Sequence, residues 1–249
     1  MLQITALSLS FCPKAAVPEV ALSGISLTVA PGEGTGLVGG SGAGKSLIAQ
    51  AIVGNLPATA RLNGQITLDG APVRPGRLAL VPQSVDALDP LADVGTQIRR
   101  FARLARRSAD AAVVPVSLAR VGLRPEVANL YPHQLSGGMA KRVLLAIALA
   151  QDCDYLIADE PTLGLDPDAA DGLMACLAGL IAAGKGVLVI SHDLPRLVAI
   201  TRRVVILQDG RAVETAPATA FSGAGAGLCH PFSRALWRAQ NGEIAWACT

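Results

Sequence analysis

The residues best suited to phosphate chemistry lie in one glycine-rich segment, 39–46. Glycines let successive backbone N–H groups turn toward phosphate oxygens, and a helix that begins there adds partial positive charge. An apolar segment precedes the glycines and a helical pattern follows them, which is the setting that such a loop requires. We therefore predict that the segment binds the phosphates of ATP or GTP. Its residues are Gly39, Gly40, Ser41, Gly42, Ala43, Gly44, Lys45 and Ser46.

The last two residues of this segment carry the side chains that a bound nucleotide needs. Lys45 is predicted to reach the β- and γ-phosphates, and the Ser46 hydroxyl is predicted to ligate Mg²⁺. The spacing Gly-x-x-x-x-Gly-Lys-Ser does not choose among kinases, GTPases and transport ATPases, so the segment alone leaves these classes open.

An acidic pair follows an apolar strand pattern at 155–158. Ligands of parallel sheets bind at the carboxyl ends of the strands, which is where Asp159 and Glu160 stand. Asp159 is predicted to hold Mg²⁺, mostly through water, and Glu160 is predicted to polarise the attacking water as a base. Taken alone, an acidic pair after a strand is equally compatible with a helix cap.

A serine and two glycines stand at the start of a strongly apolar helical pattern that ends near Ala150. Ser136 can cap that helix, and Gly137 and Gly138 permit close backbone approach to an anion. The alternative interpretation is a capped helix with no further role.

Two more polar residues directly follow predicted strands. His192 comes after the segment 187–191, where a sensor of the γ-phosphate would be useful. Gln83 follows the segment 78–81 and Pro82, so that its amide could meet both Mg²⁺ and an external partner. A single histidine is more often structural than functional, so His192 gains meaning only from the other motifs.

The bulk properties exclude several classes of protein. The net charge is +2, which indicates no nucleic-acid partner. The mean hydropathy of +0.44 is high, yet no apolar stretch reaches the roughly 20 residues that a membrane helix needs. The N-terminus lacks the pattern of a secretion signal. The five cysteines are never spaced as Cys-x-x-Cys, which argues against a disulfide framework or a zinc site and fits a reducing cytoplasm.

Short aliphatic segments alternate with amphipathic ones, which predicts a parallel sheet covered by helices. The predicted strands are 25–29, 36–38, 65–68, 78–81, 155–158, 187–190 and 204–207. The predicted helices are 45–54, 168–183 and 194–201. A hairpin turn is predicted at Asp69 and Gly70. Pro115 is expected to break or shift a helix, and 220–228 is predicted to be a linker to a short tail.

The order of these motifs resembles that of the ABC (ATP-binding cassette) transporter ATPases over essentially the whole chain. The resemblance implies a Walker A motif at 39–46, a signature at 135–139, a Walker B motif that ends at Asp159 and a D-loop at 163–166 that contains Asp166. It also implies catalytic roles for Glu160, for Gln83 in the Q-loop and for His192 in the H-loop. Phe11 is the candidate for stacking on adenine, against simple packing as the alternative.

The resemblance implies an α/β fold, a P-loop NTPase (RecA-like) core with an antiparallel β subdomain and an inserted α-helical signature subdomain. The nucleotide-binding domain is expected to span 1–215, with the helical subdomain at about 89–150, where strand patterns are absent. Residues 216–249 are expected to form a linker and a short C-terminal tail.

The same resemblance implies an ATPase that couples ATP hydrolysis to transport, with ATP and Mg²⁺ as ligands. Two cassettes, identical or homologous, are expected to face head to tail, with each ATP between one subunit's phosphate loop and the other's Ser136 and Gly138. The other expected partners are two transmembrane permease subunits and, indirectly, a periplasmic or extracellular solute-binding protein. The expected place is the cytoplasmic face of the inner (plasma) membrane, as a peripheral protein.

Two further segments resemble the oligopeptide, dipeptide and nickel import group. They are Tyr-Pro-His-Gln at 131–134 and His-Pro-Phe-Ser-Arg-Ala-Leu at 230–236. Val-Gly-Gly-Ser at 38–41 is especially similar to the nickel import ATP-binding subunit. Nickel, a metal chelate and short peptides are therefore the candidate cargoes. Ala-Lys-Arg at 140–142 departs from the usual Arg/Leu-Gln-Arg, a change expected to be tolerated on a helix face.

A basic segment of the predicted helical subdomain has two interpretations. It is expected to form a solvated charged face, with contact to lipid head groups or membrane subunits as the alternative. Its residues are Arg99, Arg100, Arg103, Arg106 and Arg107.

Two other classes remain as competing interpretations. A soluble ABC-type ATPase of DNA repair, chromosome structure or translation usually joins two cassettes or carries long coiled coils, which 249 residues do not accommodate. A P-loop kinase or GTPase would leave the segment 135–139 and His192 unexplained.

Overall fold

The computed structural model describes residues 1–12, 19–74, 76–105 and 112–241 of the 249-residue chain. Arg106 and Arg107 of the predicted basic segment, and residues 242–249 of the predicted tail, lie outside these residues. The strands are β1 (Leu2–Phe11), β2 (Glu19–Val29), β3 (Gly34–Gly39), β4 (Ala60–Leu68), β5 (Ala71–Pro72), β6 (Leu78–Val81), β7 (Tyr155–Asp159), β8 (Gly186–Ile190), β9 (Arg203–Gln208) and β10 (Arg211–Pro217). The α-helices are α1 (Lys45–Val53), α2 (Val94–Leu104), α3 (Val113–Arg120), α4 (Gly137–Ala150), α5 (Pro167–Ala182), α6 (Leu194–Ile200) and α7 (Pro231–Gln240).

The larger sheet confirms the predicted parallel architecture. Its strand order is β10-β9-β3-β8-β7-β6, in which only the edge strand β10 runs antiparallel to its neighbour. Every residue of β3, β7 and β8 is buried. Both faces of this sheet are covered, so its central strands are continuous apolar runs, which is why these three strands were predicted within one or two residues.

The smaller sheet is antiparallel, with the order β2-β1-β4-β5. The predicted hairpin turn joins β4 to β5, where Leu68 pairs with Ala71. Asp69 and Gly70 both have positive φ, 52° and 76°, as a two-residue hairpin turn of type I′ requires. The sequence prediction missed β1, because an irregularity between Ile4 and Leu7 interrupts its alternation of buried and exposed residues.

The core consists of two apolar layers that share the parallel sheet. One layer lies between the two sheets and includes α1, and the other lies beneath α2 to α6. Successive side chains of a strand point to opposite faces. On β7, Ile157 therefore joins the first layer, whereas Leu156 and Ala158 join the second. The carboxyl ends of the parallel strands emerge between these layers.

The segment between β6 and β7 is helical, as predicted. Within its described residues there is no strand, and it contains α2, α3, α4 and three short 3-10 turns. Pro115 lies in the first turn of α3, where its missing N–H removes no intrahelical hydrogen bond. The helix therefore starts at Val113 instead of being broken. None of the helices in the described part of the chain is long and apolar enough to cross a membrane.

The C-terminal segment packs on the rest of the chain through α7, a helix that the sequence prediction missed. Both carboxylate oxygens of Glu214, on β10, accept hydrogen bonds, from the N–H groups of Cys229 (2.7 Å) and His230 (3.0 Å) at the start of α7. At its other end, the side-chain oxygen of Gln240 accepts from the N–H of Leu194 at 2.8 Å. The predicted boundary between the nucleotide-binding domain and the tail, at residue 215, falls within β10, which continues to Pro217. This boundary stays a prediction.

Trp237 anchors this segment, so we expect Trp237→Ala to lower the free energy of unfolding by about 3–5 kcal/mol. The indole is 5% exposed, packs edge-on against Phe221 with ring centroids 5.7 Å apart, and donates to the carbonyl of Gly223 at 2.9 Å. Urea denaturation measures the change. Phe101→Ala, at an aromatic side chain that is 38% exposed, is the control and should cost less. Equal losses in the two variants would contradict the anchoring role of Trp237.

Candidate functional site

The phosphate loop connects β3 to α1, in the strand–loop–helix setting that the sequence predicted. Gly42 and Gly44 have φ of 77° and 92°, a region that side chains with a Cβ rarely adopt. A Cβ on Gly44 would also lie 2.4 Å from Cδ2 of Leu22, and one on Gly39 would lie 2.5 Å from the carbonyl oxygen of Leu207. Gly44 is therefore required both by close packing and by its backbone conformation, whereas Gly39 is required by close packing alone.

The Lys45 side chain folds back along this loop. Its ammonium donates to the carbonyl oxygens of Gly39 at 2.9 Å and Gly40 at 3.1 Å. A Cβ placed on Gly40 or Gly42 would meet no atom within 4 Å, so this side of the loop is open. An ammonium beside an open backbone loop at a helix N-terminus is an anion-binding arrangement.

Asp159 is the last residue of β7 and is buried. Burial raises the pKa of its carboxyl above the ordinary value; the Ser46 side chain opposes the rise through a hydrogen bond, and the positive charge of Lys45 opposes it as well. The aspartate predicted near the phosphate loop is therefore adjacent to that loop. β7 and β3 lie on either side of β8 in the sheet, which brings their carboxyl ends to one edge.

Ser46 and Asp159 fit a bound Mg²⁺ ion. Among the described residues, Oδ1 of Asp159 is buried without a hydrogen-bond partner, and such an oxygen is costly unless a cation or a donor meets it. Carboxylate and hydroxyl oxygens are the ligands that Mg²⁺ prefers. In the described part of the chain, no group of three or more His, Cys, Asp or Glu residues could hold a metal ion. A site with two protein ligands, such as Ser46 and Asp159, suits Mg²⁺, because this ion keeps several water and phosphate ligands.

Glu160 and His192 form a hydrogen-bonded pair. Oε2 of Glu160 lies 2.7 Å from Nδ1 of His192 and also accepts from the His192 backbone N–H at 3.3 Å. The glutamate side chain is 8% exposed, whereas the histidine side chain is 57% exposed. The carboxylate is thus held on one side by the imidazole, which is itself open to solvent.

The backbone of Glu160 adopts an uncommon conformation. Its φ is 45°, in the left-handed region that costs a residue with a Cβ about 1–2 kcal/mol. Its N–H donates to the carbonyl of Ile190 at 2.8 Å, which joins the end of β7 to the end of β8. Strained conformations of this kind persist where the surroundings hold them and are often found at functional sites.

The signature residues form a second group of candidate site residues. Ser136 caps α4, with Oγ accepting from the N–H of Met139 at 3.3 Å, and Asp166 caps α5, with Oδ1 accepting from the N–H of Ala169 at 2.9 Å. Both caps line one cavity of about 430 Å³ together with Gly137 and Gly138. Ser136, Gly137 and Asp166 are exposed, so this group faces outward, where a second molecule can reach it.

Gln83 and Glu160 are connected through Lys141, which the sequence analysis treated only as part of a tolerated departure at 140–142. The Gln83 side chain is exposed after β6, and its backbone carbonyl accepts a hydrogen bond from the ammonium of Lys141 on α4. The same ammonium donates to the carbonyl of Glu160 at 3.3 Å. A lysine among the ten buried residues of a 14-residue apolar helix was the available signal for this role.

Phe11 belongs to neither group. It lies at the end of β1, half-buried, and packs against the core layer around α1. This placement is that of a packing residue, and adenine stacking by Phe11 remains a prediction.

The sequence of this chain is similar to those of several known proteins. The sequence profile of the ABC transporter family matches residues 22–163. The oligopeptide transport ATP-binding protein OppD of Mycobacterium tuberculosis is 36% identical over 238 residues, which cover 87% of this chain and 38% of that protein. A putative peptide import ATP-binding protein of Brucella abortus is 36% identical over 232 residues, which cover 87% of this chain and 68% of that protein. The chain thus spans well under half the length of OppD.

A solved structure has the same fold. The structure of cbiO1 from Clostridium perfringens, described as part of the ABC transporter complex cbiONQ, superposes with a TM-score of 0.72 at 27% identity and covers 88% of each chain. The fold and the loop define a P-loop NTPase cassette with an antiparallel sheet beside its parallel one. The chain belongs to the ABC transporter family.

Proposed function

We propose that the chain is the ATP-binding and ATP-hydrolysing subunit of an ABC importer, acting through separate membrane subunits. The observation that carries this proposal is the buried Glu160 carboxylate, which is hydrogen-bonded to His192 and stands beside Asp159 at the strand end that faces the phosphate loop. The family relatives that match most of the chain are named as peptide transport and peptide import ATP-binding proteins, which supports import.

Different residues around the loop would bind the phosphates, the Mg²⁺ ion and the adenine base. Lys45 and the backbone N–H groups of 39–46 would hold the β- and γ-phosphates of ATP. Ser46 and Asp159, with the exposed amide of Gln83, would hold Mg²⁺, which supplies positive charge at the phosphates. Phe11 is proposed to contact adenine.

Glu160 would act as the general base for the attacking water, because a carboxylate within reach of the water can accept its proton. The hydrogen bond from His192 fixes the rotamer of this carboxylate. Since His192 is mostly exposed, its remaining ring nitrogen would be free to meet the γ-phosphate.

A second cassette, identical or homologous, is proposed to complete the site. The turn of Ser136, Gly137 and Gly138, whose first two residues are exposed, would contact the γ-phosphate held by the opposite subunit, together with the exposed Asp166. Hydrolysis would remove that contact and let the two subunits separate, so that a local change of charge alters the whole assembly.

An apolar groove supports docking of a helix from a membrane permease subunit. It has a volume of about 510 Å³ and lies between the C-terminal ends of α1 and α2 and the sheet strand β4. Val53, Ile66, Phe101 and Leu104 contribute to its walls, and Leu104 is 69% exposed. Apolar side chains exposed in a groove are typical of a surface that another molecule covers.

Short peptides are the cargo that the relatives favour, and nickel or a metal chelate is the cargo that the segment 38–41 favours. The cargo would be bound by a separate solute-binding protein and by the permeases. We therefore propose peptide import at the inner membrane, and an uptake experiment separates the cargoes.

Cells that lack this chain should lose uptake of a labelled tripeptide and keep uptake of labelled nickel. Wild-type protein should restore peptide uptake, whereas Lys45→Ala should not, because that variant loses the phosphate-binding ammonium. Loss of nickel uptake instead would replace the peptide by the metal as cargo. If neither cargo depends on the chain, the import proposal is wrong.

A further inference from the structure

Lys141 is buried, whereas the sequence analysis expected only that Ala-Lys-Arg at 140–142 would be tolerated on a helix face. The residue is 5% exposed, on the first turns of α4, directly after the signature turn. Burying an ammonium is costly unless it is paired and hydrogen-bonded. The hydrogen-bond partners of the ammonium therefore indicate the role of this lysine.

Those partners belong to two different motifs. The ammonium donates to the carbonyl of Gln83, 58 residues earlier in the chain, and to the carbonyl of Glu160, 19 residues later. Burial lowers the pKa of the Lys141 ammonium, and the negative charges of Asp159 and Glu160 oppose that fall. One nitrogen atom with three donors can serve two carbonyl oxygens at once.

The contact with Glu160 acts on a residue whose backbone is already strained. Its φ of 45° is maintained because its N–H is held by the carbonyl of Ile190 and its carbonyl accepts from both Lys141 and the N–H of Leu163 at 3.2 Å. The direction of this peptide determines where the Glu160 side chain leaves the backbone. A change in the position of the Glu160 carbonyl would therefore move the Glu160 carboxylate, which pairs with His192.

The contact with Gln83 connects that peptide to an exposed segment. Gln83 and the residues up to 87 lie at the surface after β6, next to a cavity of about 390 Å³ that Gln83, Gly137, Lys141 and Leu165 line. The lysine thus joins the signature helix, the Gln83 segment and Glu160 at one atom.

We propose that Lys141 is a positioning residue. Its ammonium fixes the carbonyl groups of Gln83 and Glu160 relative to each other, so that the position of the segment 83–87 determines the orientation of the Glu160 carboxylate. This proposal rests on the hydrolytic role of Glu160 given above and extends it. A docked partner that displaces Gln83 would change the position of Glu160 through Lys141.

Hydrogen exchange resolved to single amides tests the bridge in the nucleotide-free chain. In Lys141→Met the amides of Glu160 and Leu163 on one side, and of Ala87 and Leu88 on the other, should exchange about tenfold faster, because a charge-assisted bridge is lost. Amides of β8 should be unchanged. Lys141→Arg, which keeps the charge and the donors, should restore most of the protection.

ATP hydrolysis by the same variants supplies the second readout. In Lys141→Met kcat should fall by about tenfold or more, with KM for ATP within about twofold of wild type, because the loop that holds the phosphates is untouched. Lys141→Arg should recover much of kcat. Lys185→Met, which removes a lysine bound to Asp152 at the opposite end of the sheet, is the matched control and should behave as wild type.

Three results would overturn the proposal. They are unchanged kcat in Lys141→Met, faster exchange on only one side of the bridge, and uniformly faster exchange with a lower melting temperature, which would mean a packing role alone. Absence of ATP hydrolysis by the wild-type chain when it is assembled with its ATPase partner and its membrane subunits would instead contradict the proposed function, and the exchange experiment would still test the bridge.

Discussion

Glu160→Gln should retain ATP binding and lose at least about a hundredfold in ATP turnover, since general acid–base catalysis contributes about 10²–10⁴-fold. The substitution keeps the size of the side chain and its hydrogen-bonding reach toward His192, but a neutral amide cannot accept the proton of the attacking water. Phosphate release under saturating Mg·ATP measures turnover, and equilibrium binding of a fluorescent ATP analogue measures affinity.

Glu126→Gln is the matched control for this prediction. Glu126 is exposed in a short 3-10 turn of the helical segment, so its neutralisation should change neither turnover nor binding. Full hydrolysis by Glu160→Gln would remove Glu160 as the base. Loss of nucleotide binding in that variant would show that the carboxylate is needed for the architecture of the site.

Lys45→Ala should raise the Kd for ATP by at least about tenfold, because charge-assisted hydrogen bonds contribute about 1.5–3 kcal/mol each. The Lys45 ammonium lies at the loop, where it donates to Gly39 and Gly40, within reach of the phosphates that the loop would bind. Isothermal titration with ATP in the presence of Mg²⁺ measures the change.

Lys185→Ala controls for the general loss of a positive charge. Lys185 pairs with Asp152 just before β8 begins, far from the carboxyl ends of the strands, so its removal should leave the Kd unchanged. Equal affinity of Lys45→Ala and wild type would contradict the assignment of 39–46 as the phosphate loop.

The central strands could be predicted from the sequence because their environment is uniform. β7 and β8 are buried on both faces, so each is a continuous apolar run that a local pattern identifies. β10 was missed because it is an edge strand with only one buried residue, Ala216, and its polar residues resemble a loop. The helix α7 was missed because only Ser233 and Trp237 of its ten residues are buried.

The candidate site residues could be predicted where their function requires a fixed local spacing. The loop 39–46 and the pair Asp159 and Glu160 are of this kind, since each set is contiguous in the chain. The contact between Glu160 and His192 spans 32 residues. Motif order predicted a role for each residue separately, and the structure revealed the contact between them. A lysine within the apolar helix α4 was a sequence signal for a buried role, but its partners are two backbone carbonyls, which side-chain identity does not reveal, so only the structure showed the bridge.

The central claim is that ATP is held between this chain's phosphate loop and the serine-glycine turn of an opposing cassette. The most direct measurement is a structure of Glu160→Gln, assembled with its ATPase partner and its membrane subunits and trapped with Mg·ATP. The account predicts the γ-phosphate beside Lys45 on one subunit and beside the signature turn, Ser136 to Gly138 in this chain, on the other. A trapped assembly in which that turn points away from every phosphate would contradict it.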